Sequence, residues 1–223
     1  MAEGKAPLIV GIAGGSASGK TTLATTLATL LGADYAVVLE EDDYQYDFRS
    51  LPGFDPKEFD FDNPAARDHE LLASHLSALR HGATVSVPRY SFRVHGRIGV
   101  RSVSPRPVVI IEGIHVLTSE KVRGKLDLAI YLDAPDDVRL IRRLIRDTAR
   151  RGRSMQSVVR QHLKFVRINH HKYIAAGRKW ADLVLETDAV DTSSETTRSE
   201  DIARPLADLI RQRLAKHTSL ADG

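Results

Sequence analysis

Residues 8–22 read Leu-Ile-Val-Gly-Ile-Ala-Gly-Gly-Ser-Ala-Ser-Gly-Lys-Thr-Thr, an apolar run followed by a small-residue turn that closes on Lys20-Thr21. The run Leu8–Ala13 is short, apolar and rich in β-branched residues, as a strand buried on both faces is. Gly14–Thr21 then fits the spacing G-x-x-x-x-G-K-[ST]. Small residues let successive backbone N–H groups turn onto phosphate oxygens, the lysine reaches the β- and γ-phosphates, and the threonine hydroxyl suits Mg²⁺. Leu23, Leu27, Leu30 and Leu31 follow at helical spacing, so the positive end of a helix lies under those phosphates, and Gly32 marks its stop. Gly14, Gly15, Ser16, Ala17, Ser18, Gly19, Lys20, Thr21 and Thr22 are therefore the expected seat of a nucleoside triphosphate. The loop alone does not say where the phosphate goes.

Beyond it, short apolar runs alternate with longer helical patterns. Strands are expected at Ala36–Leu39, Val108–Ile111, Leu128–Leu132 and Leu183–Leu185. Helices are expected over about 65–80, 135–150, 154–176 and 202–216. This alternation predicts an α/β fold: one domain over 1–223, a parallel sheet flanked by helices, with ligands at the carboxyl ends of the strands. Residues 84–103 break the rhythm as a β-hairpin excursion that bends at Pro88–Arg89, residues 139–177 form an arginine-rich lid and helical region, and 187–200 read as a solvated linker.

Composition sets bounds. The 223 residues are 42% hydrophobic with a formal net charge of +3 and no cysteine, so a disulfide framework and thiolate metal sites are excluded. No apolar stretch approaches the roughly 20 residues that cross a bilayer. The expectation is a soluble, cytoplasmic protein with no membrane partner.

Two strands deliver carboxylates to one edge. Val108–Ile111 runs straight into Glu112-Gly113, where an acid can hold Mg²⁺ directly or through water, and Ala36–Leu39 runs into Glu40-Glu41-Asp42-Asp43, any of which could accept a hydroxyl proton. On a helical wheel Arg139, Arg142, Arg143, Arg146, Arg150 and Arg153 share one face, opposite Leu140, Ile141, Leu144 and Ile145. Such a stripe suits a lid over phosphate, because guanidinium binds two oxygens at once. No aromatic-rich basic surface accompanies it, so nucleic acid is not the expected partner.

Taken in order, Gly14–Thr21, Asp42-Asp43-Tyr44, Phe61-Asp62-Asn63-Pro64, Pro88–Phe92 with His95-Gly96-Arg97, Glu112-Gly113-Ile114, Arg139–Asp147, Arg151-Gly152-Arg153 and Gln161 resemble the uridine kinase (uridine–cytidine kinase) family of P-loop kinases, relatives of the phosphoribulokinases. The resemblance implies phosphorylation of a pyrimidine ribonucleoside at its 5′-hydroxyl, with ATP or GTP as donor and Mg²⁺ as cofactor. It implies that Asp42 deprotonates the hydroxyl, that Asp62 and Arg143 bind the ribose, and that Tyr90 and His95 hold the pyrimidine edge. Phe61 and Phe92 would pack on the nucleoside, and Arg153 and Gln161 would complete the pocket. Lys20, Arg146 and Arg151 would meet the triphosphate, Thr21 and Glu112 the metal, and the assembly would be a homo-oligomer, a tetramer in the family. Where the family carries an aromatic after Asp42-Asp43-Tyr44, this chain has Gln45. Tyr90 and His95 lie five residues apart and would face opposite ways in a regular strand, so the chain must turn before His95. Two other readings share the scaffold: a kinase of another alcohol, phosphoribulokinase- or pantothenate kinase-like, and a nucleotide-dependent ATPase or switch.

Overall fold

The computed structural model describes residues 6–187 and 195–219. Five parallel strands, β1 (Leu8–Gly14), β2 (Ala36–Glu40), β5 (Val108–Glu112), β6 (Leu128–Asp133) and β7 (Leu183–Glu186), pair in the order β2-β5-β1-β6-β7. The strands β3 (Val85–Ser91) and β4 (Gly96–Val103) make a separate antiparallel hairpin.

The side-chain period of two divides each apolar run between two cores. On one face Ile9, Val109 and Ile111 pack with Leu72, Leu76 and Leu79 of α2 (His69–Arg80). On the other, Leu8, Val10, Ile12, Val108 and Ile110 pack with Leu23 and Leu27 of α1 (Lys20–Leu31) and with Leu206 and Ile210 of α7 (Glu195–Ser219). With helices on both faces the sheet places its carboxyl ends, Gly14, Glu40 and Glu112, on one rim.

Three boundaries differ from expectation. The helix expected from about 65 begins at His69: Pro64–Ala66 is a 3₁₀ turn, Arg67 is extended and bridges Gln45, and the Asp68 side chain caps the helix by accepting from Leu71 N at 3.0 Å. The helix expected over 154–176 alternates α5 (Met155–Gln161), a π turn (His162–Val166), α6 (Arg167–Asn169), a second π turn (His170–Ile174) and a 3₁₀ end at Ala175–Trp180. The last helix starts at Glu195, inside the stretch read as a linker, whose residues 188–194 lie outside the described ones. The short α3 (Glu120–Arg123) and the long α4 (Asp136–Arg151) complete the set.

The hairpin meets the geometric demand posed by Tyr90 and His95. Its register shifts between Pro88 and Tyr90, and the chain reverses through Phe92–His95, with His95 in the left-handed region at φ 52°.

Ile110 is wholly buried at the centre of the sheet. Ile110→Ala is expected to cost about 2–5 kcal/mol in urea denaturation; a loss well under 1 kcal/mol would contradict this packing.

Candidate active site

The strand tips open into a cavity of about 1260 Å³. Of the residues expected to bind triphosphate, Ser16 through Thr22 line it, and Gly14 and Gly15 do not. The loop turns through positive φ at Gly14 (146°), Ala17 (63°) and Gly19 (101°), so its one left-handed side chain is a methyl. A Cβ on Gly15 would strike the Arg139 guanidinium, which is buried beneath the loop, donates from Nε to Ala134 O at 3.0 Å and pairs with Asp136. The Ser18 hydroxyl is buried without a hydrogen-bond partner among the described residues.

Lys20 Nζ rests on Gly15 O at 2.9 Å, and Thr21 Oγ1 donates to Glu112 Oε1 at 2.7 Å. Burial pushes the Glu112 carboxyl above the usual carboxylate range and the Lys20 ammonium below its own, though each opposes the other's shift. A divalent cation on the Thr21 and Glu112 oxygens and a phosphate on Lys20 would relieve both penalties. Two hard oxygen donors beside a phosphate loop fit Mg²⁺, which takes few protein ligands and fills its shell with phosphate and water. No cluster of three acidic, histidine or cysteine side chains forms a fuller metal site among the described residues.

At the tip of β2 the four acids separate. Glu41 is wholly buried and accepts from His115 N at 3.0 Å, pairs with His69 Nε2 at 2.9 Å, and faces Arg67 Nε at 3.5 Å. Burial alone would raise its carboxyl; the His69 hydrogen bond and Arg67 outweigh that and hold it at about 2. Asp42 points to the cavity, accepting on Oδ1 from Arg67 Nη2 at 2.7 Å and Gln45 Nε2 at 3.2 Å. Burial opposes its ionisation as well, and Arg67 reverses the balance, so Asp42 stays below its usual value. Asp43 turns to the hairpin and accepts from Tyr90 N at 3.1 Å. Burial pushes the His115 imidazole down to about 4, so it is neutral and its Nε2–H donates to Asp62 O at 2.8 Å, fixing the backbone there. Arg67 and His115 had no local signal in the sequence. Arg67 meets Asp42, 25 residues earlier, across the Gln45–Arg67 bridge.

Phe61, Asp62, Phe92, His95, Arg143, Arg153 and Gln161 all line the same cavity. His95 stacks on Phe61 at 5.1 Å and 22°, over a cluster of Phe48, Phe54 and Phe59. Tyr90, expected with them, does not line the cavity: its ring meets Phe92 edge to face at 5.4 Å, and its hydroxyl is buried without a partner among the described residues. Gln161 donates to Pro56 O at 3.0 Å, and Arg153 donates to Ser157 Oγ at 3.1 Å.

The arginine face of α4 turns inward, burying Arg139 and Arg143, while Ile141 and Ile145 are exposed along the cavity mouth. The buried Asp147 holds the group together: it accepts from Arg146 Nε at 2.8 Å, with Arg143, Arg151 and Arg153 at 3.5, 3.6 and 3.9 Å. Arg143 also donates to Ser16 Oγ at 2.7 Å, joining the lid to the phosphate loop, and Arg151 lies 4.0 Å over the Phe92 ring. The donor loop, the acid at β2, the aromatic wall and the lid thus share one cavity, the arrangement that group transfer between two ligands requires.

A model of the phosphoribulokinase / uridine kinase family matches residues 9–193. The uridine kinase of Clostridium perfringens is 39% identical over 182 residues, spanning 81% of this chain and 88% of that protein. That of Chloroflexus aggregans is 38% identical over 179 residues, 80% and 86% of the two chains. Among solved structures, a putative fructose transport system kinase from Silicibacter sp. TM1040 superposes with a TM-score of 0.66 at 25% identity, covering 83% of this chain and 92% of that one.

The pairing of Glu41 has a consequence for acid stability. Its folded value, about 2, lies below the ordinary 4.5. Ionised Glu41 therefore stabilises the fold above the unfolded carboxyl's range, by on the order of 3 kcal/mol, and that contribution drains away as pH falls from about 5 to 2. The stability gap between the native protein and Glu41→Gln is expected to be widest near neutrality and to close on acidification, read from urea midpoints at several pH values. A gap that stays constant would remove Glu41 as the source.

Proposed function

The chain belongs to the phosphoribulokinase / uridine kinase family, and on that premise we propose that it transfers the γ-phosphoryl group of ATP to the 5′-hydroxyl of uridine or cytidine. The observation that supports the acceptor is the aromatic lining of the cavity: Phe61 stacked on His95, with Phe92 on the same cavity. Flat uncharged rings suit such a wall. The guanidinium nearest Asp42 argues against an anionic acceptor, since Arg67 is already committed to Glu41 and Asp42.

In this reading Asp62 and Arg143 bind the ribose, Tyr90 and His95 the pyrimidine edge, and Arg153 with Gln161 closes the pocket. Asp42 accepts the 5′-hydroxyl proton as that oxygen bonds to the γ-phosphorus and the bond to the β-phosphate oxygen breaks. Lys20, Arg146 and Arg151 neutralise charge on the moving group, which is where most of the rate comes from in such transfers. Thr21 and Glu112 would hold Mg²⁺, whose part is to neutralise charge across the β- and γ-phosphates. Ile141, Ile145 and Ile202 also line the cavity and offer apolar surface to the base of the donor, ATP or GTP.

Asp42→Asn is expected to lower kcat with uridine and ATP by a factor on the order of 10² or more, while KM for uridine changes little. An unchanged kcat in a coupled ADP-release assay would remove Asp42 from the role of base. Tyr90→Phe is expected to raise KM for uridine by roughly tenfold, the worth of one buried hydrogen bond, with a smaller effect on kcat. Equal KM values for the two proteins would mean the phenol does not touch the base.

A further inference from the structure

Arg67 is the side chain at this site whose setting goes furthest beyond what phosphoryl transfer itself demands. It is 4% exposed, and its polar atoms are spread over three partners: Nη2 to Asp42 Oδ1 at 2.7 Å, Nη1 to Phe61 O at 2.8 Å, and Nε facing Glu41 Oε2 at 3.5 Å. Its backbone is fixed too. Arg67 and Gln45 are paired across an antiparallel bridge, and Tyr46 N and Asp68 N donate to Ala66 O and Tyr44 O at 3.1 and 2.9 Å on either side of it. The two residues so paired are the two whose side chains reach Asp42.

Both of their hydrogen bonds land on Oδ1. Oδ2 is left outside both hydrogen bonds, on a side chain that lines the cavity. Glu41 makes this possible. A lone buried guanidinium would cost several kcal/mol, whereas one balanced by a second buried carboxylate is tolerated. Glu41 is in turn held by His115 N and His69, so the clamp is braced from the side away from the cavity.

We propose that Arg67, braced by Glu41, is a positioning residue that fixes the Asp42 carboxylate with Oδ2 aimed at the hydroxyl to be phosphorylated. This rests on Asp42 acting as the base. The proton passes from the acceptor hydroxyl to Oδ2, and Arg67 takes no part in bond making; it holds the rotamer in which the transfer is short. Other charges also face Asp42: Glu41 and Asp43 from its own turn, Lys20 of α1, Glu112 of β5 and Arg151 of the lid. Among the described residues, Arg67 is the one that bonds the carboxylate as a salt bridge.

The test is the paired exchange Glu41→Gln with Arg67→Met, which removes both buried charges together and leaves neither unpaired. Folding is checked by thermal melt, and kcat and KM for uridine are measured in the native and Asp42→Asn backgrounds. Positioning predicts a kcat at least roughly tenfold lower with KM for uridine nearly unchanged, and almost no further loss when Asp42 is already Asn. A kcat equal to that of the native protein overturns the inference. So does a loss that multiplies with that of Asp42→Asn, because Arg67 would then act by another route. If the exchanged protein does not fold, Arg67→Lys carries the same comparison, since it keeps the buried charge but loses the fork. An Asp42→Asn protein with native kcat would instead sink the base assignment, so the two failures are told apart.

Discussion

Charge at the carboxyl edge of the sheet is buried, and a buried charge is tolerated only where another answers it. That constraint organises this molecule. Lys20 and Glu112 answer each other beneath the phosphate loop, Glu41 and Arg67 behind Asp42, and Asp147 the arginines of the lid. Each set leaves one valence open toward the cavity: the Lys20 ammonium, the free oxygen of Asp42, and the outward arms of the lid arginines. Ligands of complementary charge would complete that balance.

The inversion of α4 follows from the same constraint. An amphipathic helix ordinarily buries its apolar stripe, yet here Arg139 and Arg143 are buried while Ile141 and Ile145 reach solvent. Asp147, four residues after Arg143 and four before Arg151, makes the inward arginine face affordable. The exposed isoleucines are not idle surface, for they border the cavity mouth. The helix thus brings both guanidinium groups and apolar side chains to one cavity.

How much of this was legible follows from the range of each interaction. The strand Leu8–Gly14, the loop and α1 read directly, because their signals lie within a few residues of each other. The hairpin read almost as well: Pro88 disrupts the ladder, and the need for a turn before His95 is met by its left-handed backbone. The start of α2 was misplaced because helix-favouring alanines at 65 and 66 follow a proline that begins only a 3₁₀ turn, and Arg67 is drawn out of the helix by its bridge to Gln45. The π turns after Gln161 leave no mark in the apolar periodicity, since each shifts it by a single residue.

The partners of Asp42 were hidden for a different reason. A run of four acids looks like a solvated turn, and nothing within it says that Glu41 is buried, Asp42 faces the cavity and Asp43 serves the hairpin. Those three fates are set by a tight 3₁₀ turn over Glu41–Tyr44, which sends successive side chains about a third of a turn apart. One faces inward to Arg67 and His115, one to the cavity, one to Tyr90. Gln45, which departs from the family's aromatic, then gains a meaning the alignment of motifs could not supply. Here the Gln45 amide donates to Asp42. The Gln45 side chain holds the carboxylate, and the aromatic lining of the cavity comes from Phe61, Phe92 and His95.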